Sequence, residues 1–150
     1  MTRGELAKQY FTNGHNCAQS VLLAFTDLTG LDEVTAMKIS SSFGGGMGKL
    51  REVCGAVSGM FMAAGILYDE GKVPTLENKA AHYARIQELA ARFRSQTGSI
   101  LCRDLLAQVE TASGSAPEAR TEQYYKARPC AELCALAADI LSQYIEENPL

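Results

Sequence analysis

The sequence predicts an all-α fold, a single-domain bundle of about six to seven helices in which residues 1–150 surround one central apolar helix. Two patterns support this: apolar residues recur at helical spacing almost throughout, and alternating β-branched runs are nearly absent. No repeat, low-complexity tract or linker divides the chain, and 150 residues suit one domain. With 47% apolar and 21% charged residues, the composition is that of an ordinary globular protein.

The first third of the chain is predicted to hold three helices, over about residues 3–12, 17–29 and 33–43. The second helix follows Asn16, whose side-chain oxygen can cap it, and ends at Gly30. Asp32 caps the third helix. Four glycines in five residues then form a glycine loop, residues 44–48, which can adopt positive φ.

The fourth helix, about residues 52–69, is predicted to be the central element. It is apolar nearly all round, and such a helix is buried on every face. Gly55, Gly59 and Gly65 each cost roughly 1 kcal/mol of helix propensity relative to alanine. We expect another backbone, or a bulky ligand, to approach these glycines closely.

The rest of the chain is predicted to contain a long helix, a short helix and a final helix. Pro74 and Thr75 open the long helix, about residues 76–97, and Gly98 ends it. Its expected inward stripe is Ala80, Tyr83, Ile86, Leu89, Ala90 and Phe93. A short helix begins at Leu101-Cys102, residues 111–118 are expected to be a surface loop, and Pro129 suits the first turn of the last helix.

Charge and hydropathy exclude several classes of partner. The net charge of −3 predicts no basic face for nucleic acid. The most apolar run, Val57–Tyr68, is shorter than the roughly 20 residues that span a bilayer, so we expect no membrane insertion. Because the first residues lack a signal peptide's apolar stretch, we expect a cytoplasmic protein. The apolar fraction, generous for this length, leaves room for a homodimer.

The five cysteines are the least expected feature of the composition. Four of them, Cys17, Cys54, Cys102 and Cys130, lie in or beside the first turn of a predicted helix. There, free N–H groups and the helix dipole favour a thiolate, which is the nucleophile and the metal ligand. The competing interpretation is that these thiols are buried apolar filler. That interpretation is the one we prefer for Cys134, and the chain has no Cys-x-x-Cys pair.

The glycine loop does not match a nucleotide-binding motif. Phe43 stands where a phosphate loop begins, and Leu50 replaces its Ser or Thr. Lys49 occupies the last glycine position of the dinucleotide pattern. We therefore expect no nucleotide. We also identify no catalytic constellation of nucleophile, base and acid.

Several segments together carry a resemblance to a known family. They are Asn16-Cys17-Ala18-Gln19-Ser20-Val21-Leu22, Phe43-Gly44-Gly45-Gly46-Met47-Gly48, Val53-Cys54-Gly55-Ala56-Val57-Ser58-Gly59, Phe93 through Gly98, Cys102-Arg103-Asp104-Leu105-Leu106, and Cys130. Over roughly residues 8–145 the chain resembles the C_GCAxxG_C_C family of redox-active proteins. The family's name writes Gly-Cys-Ala, whereas this chain has Cys54-Gly55-Ala56.

The resemblance implies a redox or electron-transfer role with four key cysteines, which fall on Cys17, Cys54, Cys102 and Cys130. Four thiolates suit an iron–sulfur cluster, for which these cysteines are the expected metal ligands. The glycines nearby, Gly45, Gly46, Gly55 and Gly59, are expected to make room for the cluster and to donate N–H groups to sulfur. Covalent haem is not expected, because no Cys-x-x-Cys-His is present.

Three other interpretations stay open at this stage. Two of the thiols could cycle through a disulfide without any cluster, with Cys54 or Cys17 as the attacking thiolate. Four cysteines could instead hold a structural zinc ion in a helical interaction module. The thiols could also be inert core residues. The redox interpretations require a redox partner protein, which the sequence does not identify.

Overall fold

The computed structural model describes all residues from Met1 to Leu150, and its regular structure is helical. There is no β-strand, and the one β-bridge joins Val53 to Leu101. The prediction of an all-α fold is therefore confirmed. Nine regular α-helices are present: α1 (Arg3–Thr12), α2 (Cys17–Leu23), α3 (Thr26–Thr29), α4 (Glu33–Ser40), α5 (Gly55–Tyr68), α6 (Leu76–Thr97), α7 (Cys102–Leu105), α8 (Glu122–Ala127) and α9 (Cys130–Glu147). A 3-10 helix (Ser41–Phe43) and the glycine loop follow α4.

Helix α5 is the central element, as the sequence predicts, and it packs against α2, α6 and α9. It begins at Gly55 rather than near residue 52, because Cys54 has extended backbone angles of φ −51° and ψ 131°. The preceding segment pairs with the chain before α7 instead: the Cys54 N–H donates to the Ile100 carbonyl at 2.8 Å. The Cys102 N–H donates to the Glu52 carbonyl at 2.6 Å in return.

The two ends of α5 are packed differently. Its first six residues, Gly55–Met60, are all buried. Further along, Phe61 and Met62 are half-buried, and Ile66 is 40% exposed. The expectation that α5 is buried on every face is therefore correct for its N-terminal half and wrong for its C-terminal half, which no other element covers completely.

The glycines of α5 are also closely packed in its N-terminal half and loosely packed in its C-terminal half. A Cβ at Gly59 would lie 2.6 Å from the Ala18 carbonyl oxygen, and one at Gly55 would lie 2.9 Å from the Cys17 Cβ. Helix α2 therefore approaches α5 closely enough to require both glycines, which confirms the predicted backbone approach. Gly65 has no neighbour within 4 Å of such a Cβ, so the prediction is wrong there.

Helix α6 has the predicted bounds and caps. Thr75 accepts a hydrogen bond from the Asn78 N–H, and Gly98 closes the helix with φ 90°. Leu89, Ala90 and Phe93 are buried as predicted. Ala80 is exposed and Tyr83 is 57% exposed, so the inward stripe covers only the C-terminal half of α6. The N-terminal half extends beyond the elements that could cover it.

The short helices α3 and α8 differ from the prediction. The expected helix over residues 17–29 breaks after Leu23, because Phe25 leaves the helical region at φ −120° and ψ 12°. This turn directs the fully buried Phe25 ring into the core. Helix α8 was not anticipated at all, although Thr121 caps it through its side chain.

Helices α1 and α9 pack along each other and so bring the two ends of the chain together. The Gly4 N–H donates to Asp139 Oδ1 at 2.8 Å, where the free N–H groups of α1 favour a carboxylate. Lys8 also pairs with Glu132 across the two helices. No helix combines the length and apolar character that crossing a membrane requires.

Candidate functional site

The four predicted cysteines all lie at helix starts. Cys17, Cys102 and Cys130 are the first residues of α2, α7 and α9. Cys54 is the N-cap residue of α5. The predicted placement is confirmed at all four positions, although α7 contains only four residues.

These four cysteines line a single cavity of about 310 Å³. Three of them are buried and Cys17 is half-buried. Cys134 is not part of the lining, since it is fully enclosed in the core, as the sequence interpretation preferred. The fold thus brings together four thiols that are separated by as many as 113 positions in the chain, from 17 to 130.

Cys17 is held by the cap in front of its helix. The Asn16 side chain accepts the Gln19 N–H at 2.9 Å, while the Gln19 side chain accepts the Asn16 N–H at 3.0 Å. Asn16 also donates to the Ser41 carbonyl at 3.2 Å, which fastens the start of α2 to the end of α4. A Cβ at Gly44 would lie 2.6 Å from the Asn16 side chain, so the glycine loop leaves space for this cap.

The glycine loop also seats Cys102. At Gly46, which has φ 74°, a Cβ would lie 2.6 Å from the Cys102 Cβ and 2.8 Å from the Glu52 backbone nitrogen. The left-handed turn continues through non-glycine residues, with φ 69° at Met47, 66° at Lys49 and 62° at Arg51. Such angles are strained for residues with a Cβ, and strain of this kind collects at functional sites.

The predicted site glycines do not all reach the cavity. Gly45, Gly46 and Gly55 line it together with the cysteines. Gly59 lies one turn further along α5, against Ala18, and is absent from the lining. At Gly46, Gly55 and Gly59 the missing side chain makes room for neighbouring protein atoms, so these glycines act by letting the cysteine-bearing segments pack closely.

The thiols contact one another and one arginine. The Cys17 and Cys130 thiols lie close enough to shift each other's pKa. Cys134 also interacts with Cys17, and its Sγ lies 3.8 Å from the Cys17 carbonyl oxygen. On the other side of the cavity, Arg51 Nη1 donates to Cys102 Sγ at 3.6 Å.

Burial keeps these thiols protonated. Desolvation raises the pKa of Cys54 to about 12, although the N–H groups of Ala56 and Val57 act to lower it. Desolvation also raises the pKa of Cys102, against the opposing effect of Arg51. The sequence-based expectation of thiolates favoured by helix starts is therefore wrong in its net direction, because burial outweighs the N–H groups.

The paired thiols follow the same trend. The pKa of Cys130 is raised, first by its interaction with the Cys17 thiol and then by burial. The same interaction lowers the pKa of Cys17. The opposing effects of Cys134 and burial are larger, so the pKa of Cys17 rises well above its ordinary value. Such thiols ionise at neutral pH only when a metal or another group takes up the charge.

Sequence reasoning missed a group of basic side chains at the cavity, which we name the basic wall: Lys49, Arg51, Arg120 and Arg128. Glu118 is the acidic residue among them. Its Oε1 lies 3.1 Å from Arg128 Nη2, 3.7 Å from Arg51 Nη2 and 3.8 Å from Lys49 Nζ. The sequence does contain one indication of these basic residues: Arg128 stands two residues before Cys130, and Arg51 stands three before Cys54.

The donor set in the cavity, four cysteine thiols, is of the kind that iron–sulfur clusters use. No three Cys, His, Asp or Glu side chains converge closely enough to hold one ion. In addition, Arg51 Nη2 is buried beside Cys102 and has no hydrogen-bond partner, since Glu118 Oε1 at 3.7 Å is too far to accept from it. An anionic centre in the cavity would complement it.

Comparison with known proteins gives one match. A family profile described as "Putative redox-active protein (C_GCAxxG_C_C)" matches residues 15–144. No match is found among curated proteins or among solved structures. The matched span contains the four cavity cysteines and the glycine loop, and it covers most of the chain. The chain therefore belongs to the C_GCAxxG_C_C family of redox-active proteins.

Proposed function

We propose that the protein transfers electrons through an iron–sulfur cluster bound by Cys17, Cys54, Cys102 and Cys130. The observation that carries this proposal is the convergence of four thiols, each from a different helix start, on one cavity of about 310 Å³. Filler cysteines have no reason to share both a cavity and a helix position. Electron transfer requires a partner protein that docks near the cavity.

The charge around the cavity supports the proposal. Four thiolates bound to a cluster form a group with net negative charge, which is costly to bury without compensation. The basic wall supplies four positive charges, of which Glu118 offsets one. In the metal-free chain the thiols are neutral, so these cations lack sufficient counter-charge. A bound cluster would supply that counter-charge.

The backbone around Cys54 supports a tuned redox centre. The N–H groups of Ala56 and Val57 interact favourably with the Cys54 thiolate. Hydrogen bonds to sulfur and exclusion of solvent are the two main means by which a protein sets the potential of such a cluster. The segments that carry Cys54 and Cys102 are also joined by two backbone hydrogen bonds, from the Cys54 N–H to the Ile100 carbonyl and from the Cys102 N–H to the Glu52 carbonyl, which fix the two cysteines relative to each other.

A zinc site is a weaker candidate for the same residues. Structural zinc needs four ligands in a tight tetrahedron, with sulfur about 2.3 Å from the metal. The side chains do not converge in this manner.

The proposal is tested by expressing the protein without oxygen and recording its visible spectrum with iron and sulfide counts. We expect brown protein that contains iron and sulfide in near-equal amounts. Cys54→Ser should abolish both the colour and the sulfide. Cys134→Ala is the matched control, because Cys134 is buried nearby yet absent from the cavity lining, and it should keep the cluster. Colourless wild-type protein would contradict the proposal.

A second candidate is a thiol–disulfide couple between Cys17 and Cys130, whose thiols affect each other's pKa and line the same cavity. Oxidation would join the two sulfurs and release two protons and two electrons to an acceptor. Reversible loss of these two alkylatable thiols in colourless protein would favour this couple. Oxidised protein that keeps both thiols free would contradict it.

A further inference from the structure

The basic wall contains more buried positive charge than its acidic neighbour balances. The exposed fractions of the Lys49, Arg51 and Arg128 side chains are only 10%, 18% and 6%. All three contact one carboxylate, that of Glu118, which is 26% exposed. Partly buried cations are costly unless they are paired. This part of the cavity is therefore suited to a further anion.

Arg51 defines where such an anion would bind. Its Nη1 donates to Cys102 Sγ at 3.6 Å, while its Nη2 is buried without a hydrogen-bond partner. The ion-pair contact from Nη2 to Glu118, at 3.7 Å, is too long for a hydrogen bond. A guanidinium offers parallel N–H groups that match the two oxygens of a carboxylate. The free donor therefore lies beside the sulfur of Cys102.

The acidic group that contacts these cations is the carboxylate of Glu118, which lies on an irregular segment of the chain. Glu118 belongs to the cavity strap, residues 106–121, which lacks helix or strand between α7 and α8. The strap contacts the cavity through Glu118 and through the Ala116 carbonyl, which accepts from Lys49. Long irregular segments of this kind often cover binding sites. An incoming carboxylate can take over the contacts that Glu118 makes.

We propose that the cavity binds a small carboxylate beside Cys102, on Arg51, Lys49 and Arg128, in competition with Glu118. The proposal does not depend on the iron–sulfur cluster, because the cations and the strap belong to the metal-free chain. It makes the cavity a site for a small organic acid next to the redox-active cysteines. Arg51 then has two roles, as the hydrogen-bond donor to Cys102 Sγ and as a donor to the ligand.

Two alkylating reagents that differ in charge test this proposal on the reduced, metal-free protein. The Cys102 thiolate displaces iodide from either iodoacetate or neutral iodoacetamide, and peptide mass spectrometry follows that cysteine alone. The measured quantity is the rate with iodoacetate divided by the rate with iodoacetamide. We expect this ratio to be about tenfold higher in the folded chain than in the same chain unfolded in urea, as a charge-assisted contact of ordinary strength gives.

Variants assign the effect to the basic wall. Arg51→Met should reduce the ratio to its value in the unfolded chain, and Arg51→Lys should restore part of it. Glu118→Gln removes the competing carboxylate and should raise the ratio above wild type. Arg103→Met is the matched control, since Arg103 also adjoins Cys102 in sequence but is 53% exposed and pairs with Glu52. It should leave the ratio unchanged.

Three outcomes would overturn the proposal. A folded ratio equal to the unfolded one means that no carboxylate site exists beside Cys102. A ratio that neither Arg51→Met nor Glu118→Gln changes means that the basic wall does not bind the reagent. Acetate should slow alkylation by iodoacetate at constant ionic strength. Slowing by phosphate but not by acetate would contradict a carboxylate site.

Discussion

The two ends of α5 show how unevenly this molecule is packed. At the cavity end, Gly55 and Gly59 allow α2 to approach so closely that a single Cβ would collide with Cys17 or Ala18. At the far end, Gly65 has empty space around it and Ile66 is 40% exposed. Close packing along α5 is thus found at the end that lies beside the four cysteines, and it is looser at the opposite end.

Helix α6 repeats the contrast. Its last turns bury Leu89 and Phe93 just before the segment that leads to Cys102. Its first turns leave Leu76 and Tyr83 largely exposed. We therefore expect substitutions near the cavity to disturb the fold and the thiols together, whereas substitutions at the far end should not disrupt the packing and should leave the thiols unchanged.

The largest effect is expected for Phe93→Ala. The ring is fully buried, and its removal leaves a cavity that should lower the free energy of unfolding by about 3–5 kcal/mol. Urea denaturation of the metal-free protein measures this change. Tyr83→Ala, on the same helix, should change the free energy by less than about 0.5 kcal/mol. Similar losses in both variants would contradict the division of α6 into two halves.

Gly59→Ala comes next. Alanine improves helix propensity by roughly 1 kcal/mol, but its Cβ would collide with the Ala18 carbonyl, so we expect a net loss of about 2 kcal/mol. Because α2 must move away, the Cys17 thiol should also react faster with iodoacetamide. Urea denaturation and alkylation kinetics measure the two effects. An unchanged stability would show that α2 and α5 can separate without cost.

The stability of the protein should also fall at high pH because of Cys54, which lines the cavity. The pKa of Cys54 is about 12 in the fold against 9.0 for a free thiol, so the folded state disfavours the thiolate. Below pH 9 the thiol is protonated in both the folded and the unfolded chain, and the stability is unaffected. Between pH 9 and 12 the thiol ionises more readily in the unfolded chain, so the free energy of unfolding falls as the pH rises. At pH 10, ionisation of Cys54 in the unfolded chain alone should cost the metal-free protein on the order of 1 kcal/mol of stability.

Urea denaturation at pH 8 and pH 10 checks this prediction by comparison with Cys54→Ser, which has no thiol to ionise at that position. The wild type should lose more stability between the two pH values than the variant does. The other cysteines, tyrosines and lysines titrate in both proteins, so the comparison cancels their contributions. Equal losses would show that Cys54 ionises as easily in the fold as in the unfolded chain.

The smallest effect is expected for Gly65→Ala at the far end of α5. No atom lies within 4 Å of the added Cβ, so the gain in helix propensity should stabilise the protein by up to about 1 kcal/mol. Thermal or urea denaturation measures it. Destabilisation here would indicate that the far end of α5 is packed more tightly than the structure shows.

Much of the fold could be predicted because helix signals are local. Apolar spacing and the caps Asn16, Asp32, Thr75 and Gly98 identified the helix ends that the structure confirms. The break at Phe25 was missed because neither glycine nor proline marks it. What drives it is burial of an aromatic ring in a distant core, which a local pattern does not contain.

The site was predictable in its cysteines but not in its electrostatics. Helix starts and family resemblance selected four cysteines, and the structure places all four around one cavity. The basic wall depends on contacts between Lys49, Arg51, Glu118 and Arg128, which only the tertiary fold brings together. The raised thiol pKa values likewise depend on burial, which spacing along the sequence does not reveal.

The packing of α1 against α9 has a consequence for how the protein is made. Cys17 and Cys54 leave the ribosome long before Cys130, which begins the helix that closes the bundle against α1. The four-cysteine cavity is therefore incomplete until residue 130 and the helix after it have been synthesised. A cofactor held by all four cysteines can therefore be fully coordinated only after that helix has been synthesised.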